Sequence, residues 1–86
     1  MAFTRSLALE LASFSVRVNC VAPGDILTPL TLNQLKISDS TIEDLEKFYP
    51  LGRIGTAEEV AEAIYFLSSA KFITGAVLSV DGGLTA

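Results

Sequence analysis

Val16-Arg17-Val18-Asn19-Cys20-Val21-Ala22-Pro23-Gly24 is the stretch on which the fold turns. Val16, Val18, Cys20 and Ala22 alternate with Arg17, Asn19 and Val21, the period-two pattern of a strand, which predicts one from Ser15 to Ala22. Pro23 has no N–H to give a ladder and Gly24 permits a sharp turn, so the strand ends there. Upstream, Phe3, Leu7 and Leu11 recur four apart, joined by Ala8 and Ala12, and predict a helix over Ala2 to Ser13. Downstream, Thr56 and Glu59 form a capping box that opens a helix to about Ser69, with Val60, Ile64 and Leu67 on its apolar face. Ala76 to Val80 reads as a second strand, closed by Asp81-Gly82-Gly83.

Between Gly24 and this second half lies a less regular segment. Thr28-Pro29 turns into a short helix near Leu30 to Leu35. Ser38-Asp39-Ser40 opens another to about Phe48, with Ile42, Leu45 and Phe48 at helical spacing, and Pro50 closes it. The order is helix, strand, helical insert, helix, strand. A strand–helix–strand unit of this length favours a parallel, right-handed crossover. A parallel sheet of two strands is poorly protected, so the pattern predicts an α/β fold to which further strands belong.

Composition agrees. The 86 residues allow at most one small domain, half of them are hydrophobic (50%), and mean hydropathy is +0.49. Such a chain is too apolar to be disordered, and has more apolar surface than so small a domain hides alone. It is read as one partial domain, residues 1–86, or as a chain that needs a partner. Net charge is −4, which argues against nucleic acid or anionic membrane as a partner. The longest apolar run, Ala63 to Leu67, is far below the ~20 residues of a membrane span. Leu7-Ala8-Leu9 after Arg5 is interrupted by Glu10 before it resembles a signal peptide, and Cys20 is the single cysteine, so a reducing, cytoplasmic setting is expected. With no histidine, a Cys/His zinc site and a His-based triad are excluded within these residues.

Six stretches, in order, resemble the C-terminal part of the short-chain dehydrogenases/reductases. They are Thr4 to Ala12, Val16 to Gly24, Thr28-Pro29, Pro50-Leu51-Gly52-Arg53-Ile54-Gly55, Glu58-Glu59-Val60-Ala61, and Thr74-Gly75 through Val80-Asp81-Gly82-Gly83. The resemblance implies the last two strands and flanking helices of a Rossmann-like, doubly wound parallel sheet. The N-terminal half of that fold would then be absent, and Met1 would stand at an internal position. It also implies an NAD- or NADP-dependent oxidoreductase acting on an alcohol/carbonyl pair, and a homo-oligomer. The family's glycine-rich cofactor motif is not found in these residues. Its catalytic Tyr-x-x-x-Lys is not found either, since Tyr49 and Tyr65 are followed four residues on by Arg53 and Ser69. No catalytic residue is therefore assigned, and the isolated chain is expected to be inactive. A non-enzymatic interaction module is the other expectation.

Ligands of α/β sheets bind outside the carboxyl ends of strands, and the loop after Ala22 leaves such an end. By the resemblance, Pro23, Gly24, Ile26 and Thr28 would face the nicotinamide, with the Ile26 backbone and the Thr28 hydroxyl meeting its carboxamide. By local sequence alone, the loop reads as a plain strand-ending turn, with Thr28 as the N-cap of a helix whose first residue is Pro29. Residues 30–49 match the family's substrate lid in position; the plain alternative is an amphipathic surface cover. Asn19 is expected to make a structural hydrogen bond, Cys20 to be a small core residue, and Arg53 to pair with Glu59.

Overall fold

Three threonines start the helices that follow the first strand. The computed structural model describes all residues, 1–86. In it, Thr28, Thr41 and Thr56 have extended backbones, and each side chain accepts from the N–H three residues on, at Thr31, Asp44 and Glu59. This satisfies one of the free donors that every helix start exposes. Asp44 and Glu59 return the bond to the threonine backbone, completing two capping boxes. The elements are α1 (Ala2–Leu11), a 3₁₀ turn (Ala12–Phe14), β1 (Cys20–Pro23), α2 (Pro29–Ile37), α3 (Ile42–Glu46), α4 (Ala57–Ser69) and β2 (Val77–Val80). The two strands are parallel, with Cys20 opposite Val77 and Pro23 opposite Val80. An isolated parallel bridge between Ile26 and Gly55 prolongs contact beyond β1.

The α/β order and the parallel pairing follow the sequence pattern, but the first strand is shorter than Ser15 to Ala22. Ser15 is left-handed (φ 58°) and ends the 3₁₀ turn. Val18 and Asn19 then run beside residues 74–76 through mixed bonds. The Val18 N–H donates to Thr74 Oγ1 (3.1 Å), and its carbonyl accepts from Gly75 N (2.7 Å). The Asn19 amide bonds both ways, donating to Ile73 O (3.1 Å) and accepting from Ala76 N (3.0 Å). The backbone ladder begins only when Cys20 N reaches Ala76 O (2.9 Å). Arg17 lies across the end of α4, donating to the carbonyls of Leu67 (2.8 Å) and Ser68 (2.7 Å). A cation there meets the negative end of the helix.

The expected apolar faces are only partly covered. In α1, Thr4 and Ala8 are buried, and Gly75 closes on the Ala8 methyl; Phe3, on the four-apart apolar stripe, is 76% exposed. In α4, Leu67 is buried and Ile64 is half exposed. Cys20 is half-buried rather than a core residue. The reason is geometric: two strands and four helices offer no second layer over these faces. Surface area is 6233 Å², against about 4,900 Å² for a compact protein of this mass. The radius of gyration is 15.6 Å, against about 12 Å for a compact chain of this length. The single-domain reading of residues 1–86 thus concerns an incompletely covered unit.

Asn19→Ala leaves the Ala76 N–H unpaired beside the sheet and the Ile73 carbonyl with only the longer bond from Arg17 (3.3 Å). It should lower stability by about 2 kcal/mol in denaturant titration; a change below about 0.5 kcal/mol would contradict the bridging role.

Candidate functional site

The parallel register brings the exits of β1 and β2 to one end of the sheet. Gly24 N donates to Val80 O (3.0 Å) just past the last paired residues, after which the two segments separate into the loops of Gly24 to Thr28 and Asp81 to Gly83. A recess of about 290 Å³ opens between them, with Asp25, Tyr49, Arg53, Glu59, Asp81 and Gly82 among its walls. Its rear is held by the Arg53-Ile54-Gly55 segment: Gly55 N donates to Asp25 O (3.0 Å) and Leu27 N to Gly55 O (2.9 Å).

The four residues singled out in the sequence lie together along this exit. Pro23 closes β1 and is exposed, and Gly24, Ile26 and Thr28 are half-buried. The expected N-cap is present: Thr28 Oγ1 accepts from Thr31 N (3.3 Å). The Thr31 hydroxyl donates to the Ile26 carbonyl and lies 3.1 Å from the Thr28 hydroxyl. Thr31 has a single hydroxyl hydrogen, already given to Ile26, so Thr28 must donate in their mutual bond. Thr28 Oγ1 therefore gives one bond, accepts one, and keeps one lone pair. The N–H groups of Ile26 and Thr28 donate to no partner in the chain. Within three residues the loop holds two free backbone donors and one free hydroxyl lone pair. An N-cap and a ligand contact are thus compatible at Thr28.

The expected Arg53–Glu59 pair forms as a fork, at 2.8 and 2.7 Å. The Arg53 guanidinium and then the Thr56 N–H hold the Glu59 carboxyl down at about 2. Asp81 is lowered chiefly by the Thr85 hydroxyl, then by the N–H groups of Gly83 and Thr85, so its carboxylate serves its own turn. In the 30–49 insert, α2 runs further than expected, to Ile37, while α3 is shorter than the predicted stretch to Phe48 and starts at the Thr41 cap. Leu35 is buried; Leu30, Leu32, Ile37 and Phe48 are exposed, and Lys36 borders an open groove between the helices.

Tyr49 was not visible as a site residue. Its hydroxyl donates to Asp25 Oδ2 (2.6 Å) and accepts from Asp25 N (2.7 Å). Burial and the bond to Asp25 push the phenol above its ordinary value. Its partner lies 24 residues away, outside any local motif. Arg17 was missed for the same reason.

The recess is lined by Asp25 but by none of Pro23, Gly24, Ile26 and Thr28; a parallel sheet with helices and loops leaving the carboxyl ends of its strands is the layout of doubly wound α/β proteins. Comparison narrows the class. The family model described as "Enoyl-(Acyl carrier protein) reductase" matches residues 1–85. Carbonyl reductase family member 4 of Xenopus laevis is 50% identical over 82 residues, which are 95% of this chain and 32% of the relative. The crystal structure of a short chain dehydrogenase family protein from Francisella tularensis superposes with a TM-score of 0.87 at 38% identity. It covers 98% of this chain and 39% of that one. The solved structure of ElxO with NADP bound superposes with a TM-score of 0.86 at 35% identity, over 96% of this chain and 34% of that one. The chain belongs to the short-chain dehydrogenase/reductase family, and spans about a third of the length of the curated relatives it matches.

The Glu59 carboxyl sits below its unfolded value of ~4.3, so its contribution to stability is complete above that pH. It should be lost as pH falls from about 4.3 towards about 2. Glu59→Gln should flatten the stability–pH profile only slightly in that window, as for a solvent-exposed pair, while side-chain NMR of the wild type should find the Glu59 carboxyl titrating below the ordinary carboxylate value; an ordinary midpoint would contradict the fork.

Proposed function

We propose that these residues form the nicotinamide-side wall of an NAD- or NADP-dependent oxidoreductase that interconverts an alcohol and a carbonyl. The observation that carries this is the unspent hydrogen-bonding capacity of Ile26 and Thr28. A carboxamide has one carbonyl acceptor and one NH₂ donor. The free N–H groups suit the first and the Thr28 lone pair suits the second. Pro23 ends the strand short of this position and Gly24 lets the loop fold back without a side chain. The bound cofactor would supply the hydride. The chain's own residues orient the ring end, and the 30–49 insert, as a lid with exposed Leu30 and Leu32, excludes water from the substrate. That a relative is named a carbonyl reductase and a neighbour was solved with NADP supports the substrate class and cofactor.

The acid–base pair and the pyrophosphate cradle are not among residues 1–86, so we propose that the isolated chain is inactive. Positioned acid–base catalysis alone gives ~10²–10⁴ in rate. The expected reading in a coupled NADH or NADPH assay is no turnover of alcohols or carbonyls by the isolated chain. A rate typical of the longer relatives would overturn this. In the complete protein carrying these residues, Thr28→Val should weaken reduced-cofactor binding about tenfold, as loss of one net hydrogen bond does, while Thr28→Ser retains it. Equal affinity of the Val variant and the wild type would remove the proposed contact.

A second reading has its own support: about 1,300 Å² of surface beyond that of a compact chain. That exceeds the ~800 Å² each partner gives to a standard interface. An interaction module built on this fold would self-associate without binding dinucleotide. A homo-oligomer in a cytoplasmic setting, with no nucleic-acid or membrane partner, suits either reading. Sedimentation of the isolated chain combined with fluorescence titration of NADH and NADPH separates them. Oligomers without saturable binding favour the module, and saturable micromolar binding favours the cofactor wall.

A further inference from the structure

Tyr49 belongs to no helix or strand, yet it is 5% exposed and is one of only six buried residues. Loop side chains usually lie in solvent. Its ring fills the space between the two strand exits. A Cβ on Gly24 would lie 2.8 Å from Tyr49 Cε1, and one on Gly82 would lie 3.6 Å from Cδ1. The hydroxyl spends both its hydrogen and a lone pair on a single residue, Asp25. Asp25 is gripped from the other side by Gly55, through its carbonyl. The free Ile26 N–H comes next in sequence and the free Thr28 N–H two residues later. Tyr49 is also the final residue of the insert whose other root is Thr28-Pro29.

We propose that Tyr49 is a positioning residue: its bonds to Asp25 set the Ile26–Thr28 segment before ligand arrives and tie both roots of the insert to that segment. The proposal rests on the cofactor reading above and adds to it the device that orders the loop. Order supplied during folding is not charged against binding. Without the hydroxyl, Asp25 is free to turn into water, and the loop must be ordered at the moment the ring end docks. The cost then falls on the nicotinamide part of the ligand alone.

The test uses the complete protein carrying these residues, with a reduced nicotinamide dinucleotide and its ADP-ribose counterpart, which lacks the nicotinamide. For an NADP-preferring protein, both probes carry the 2′-phosphate. Tyr49→Phe keeps the ring and loses the hydroxyl. It should weaken dinucleotide binding about tenfold and leave ADP-ribose binding within about twofold, since only the ring end meets the loop. Asp25→Ala loses the carboxylate acceptor but keeps the backbone N–H bond to the phenol, so it should weaken dinucleotide binding in the same direction as Tyr49→Phe and by no more. Asp25→Asn, which still accepts from the phenol, should stay within about threefold of wild type. Unchanged dinucleotide affinity in Tyr49→Phe, or equal loss for both probes, overturns the positioning role and leaves the cofactor reading standing. Failure of the wild type to bind any nicotinamide dinucleotide sinks the cofactor reading itself, and this role with it.

Discussion

Four rungs of parallel ladder, Cys20 to Pro23 against Val77 to Val80, hold together two segments more than fifty residues apart in sequence. Parallel pairing cannot be made by a tight turn, so the intervening residues must cross over and return. The ladder is guarded at both ends. Asn19 spans from Ile73 to Ala76 before the first rung, and Gly24 closes on Val80 after the last. A slip of one residue would turn every side chain to the opposite face. It would also part Asn19 from both partners, so the amide and the pleat specify the same register.

That register has a consequence at the other end of the sheet. It sets the Gly24 and Gly82 loops side by side, leaving a slot that Tyr49 fills. Once the slot is filled, the Asp25 loop is held between Tyr49 and Gly55, and the donors of Ile26 and Thr28 are left over. The candidate site thus follows from strand pairing through glycine spacing and one buried phenol. The Arg53–Glu59 fork secures the same loop from outside, joining the segment behind the recess to the start of α4. Exposed ion pairs add little to global stability. The fork is better understood as fixing where Gly55 meets the loop.

The apolar faces of α1 and α4 show the complementary constraint. A helix stripe is stable only when something covers it. Phe3, Leu9, Phe14 and Phe72 are exposed, and no neighbouring layer exists among these residues to receive them. The relative from Xenopus laevis matches this unit over 32% of its own length, and the Francisella tularensis structure over 39%.

Local chemistry made much of this legible from the sequence. Period-two alternation located the strand ending at Pro23-Gly24, and Thr56 with Glu59 marked the start of α4. Thr28-Pro29 announced its cap, because each signal acts over three or four residues. The Thr41 cap is of the same kind and was available to the same reasoning. Burial was not legible: the Phe3 stripe is apolar whether or not anything lies over it, and only the packed chain decides. Nor were Tyr49 and Arg17, whose partners lie 24 and about 50 residues away. Periodicity and capping are properties of neighbours along the chain, so the amino-acid order alone determined the elements and the family they resemble. Which hydroxyl meets which carboxylate, and which backbone donors stay free, depends on how distant segments are brought together, and that was decided by the tertiary structure.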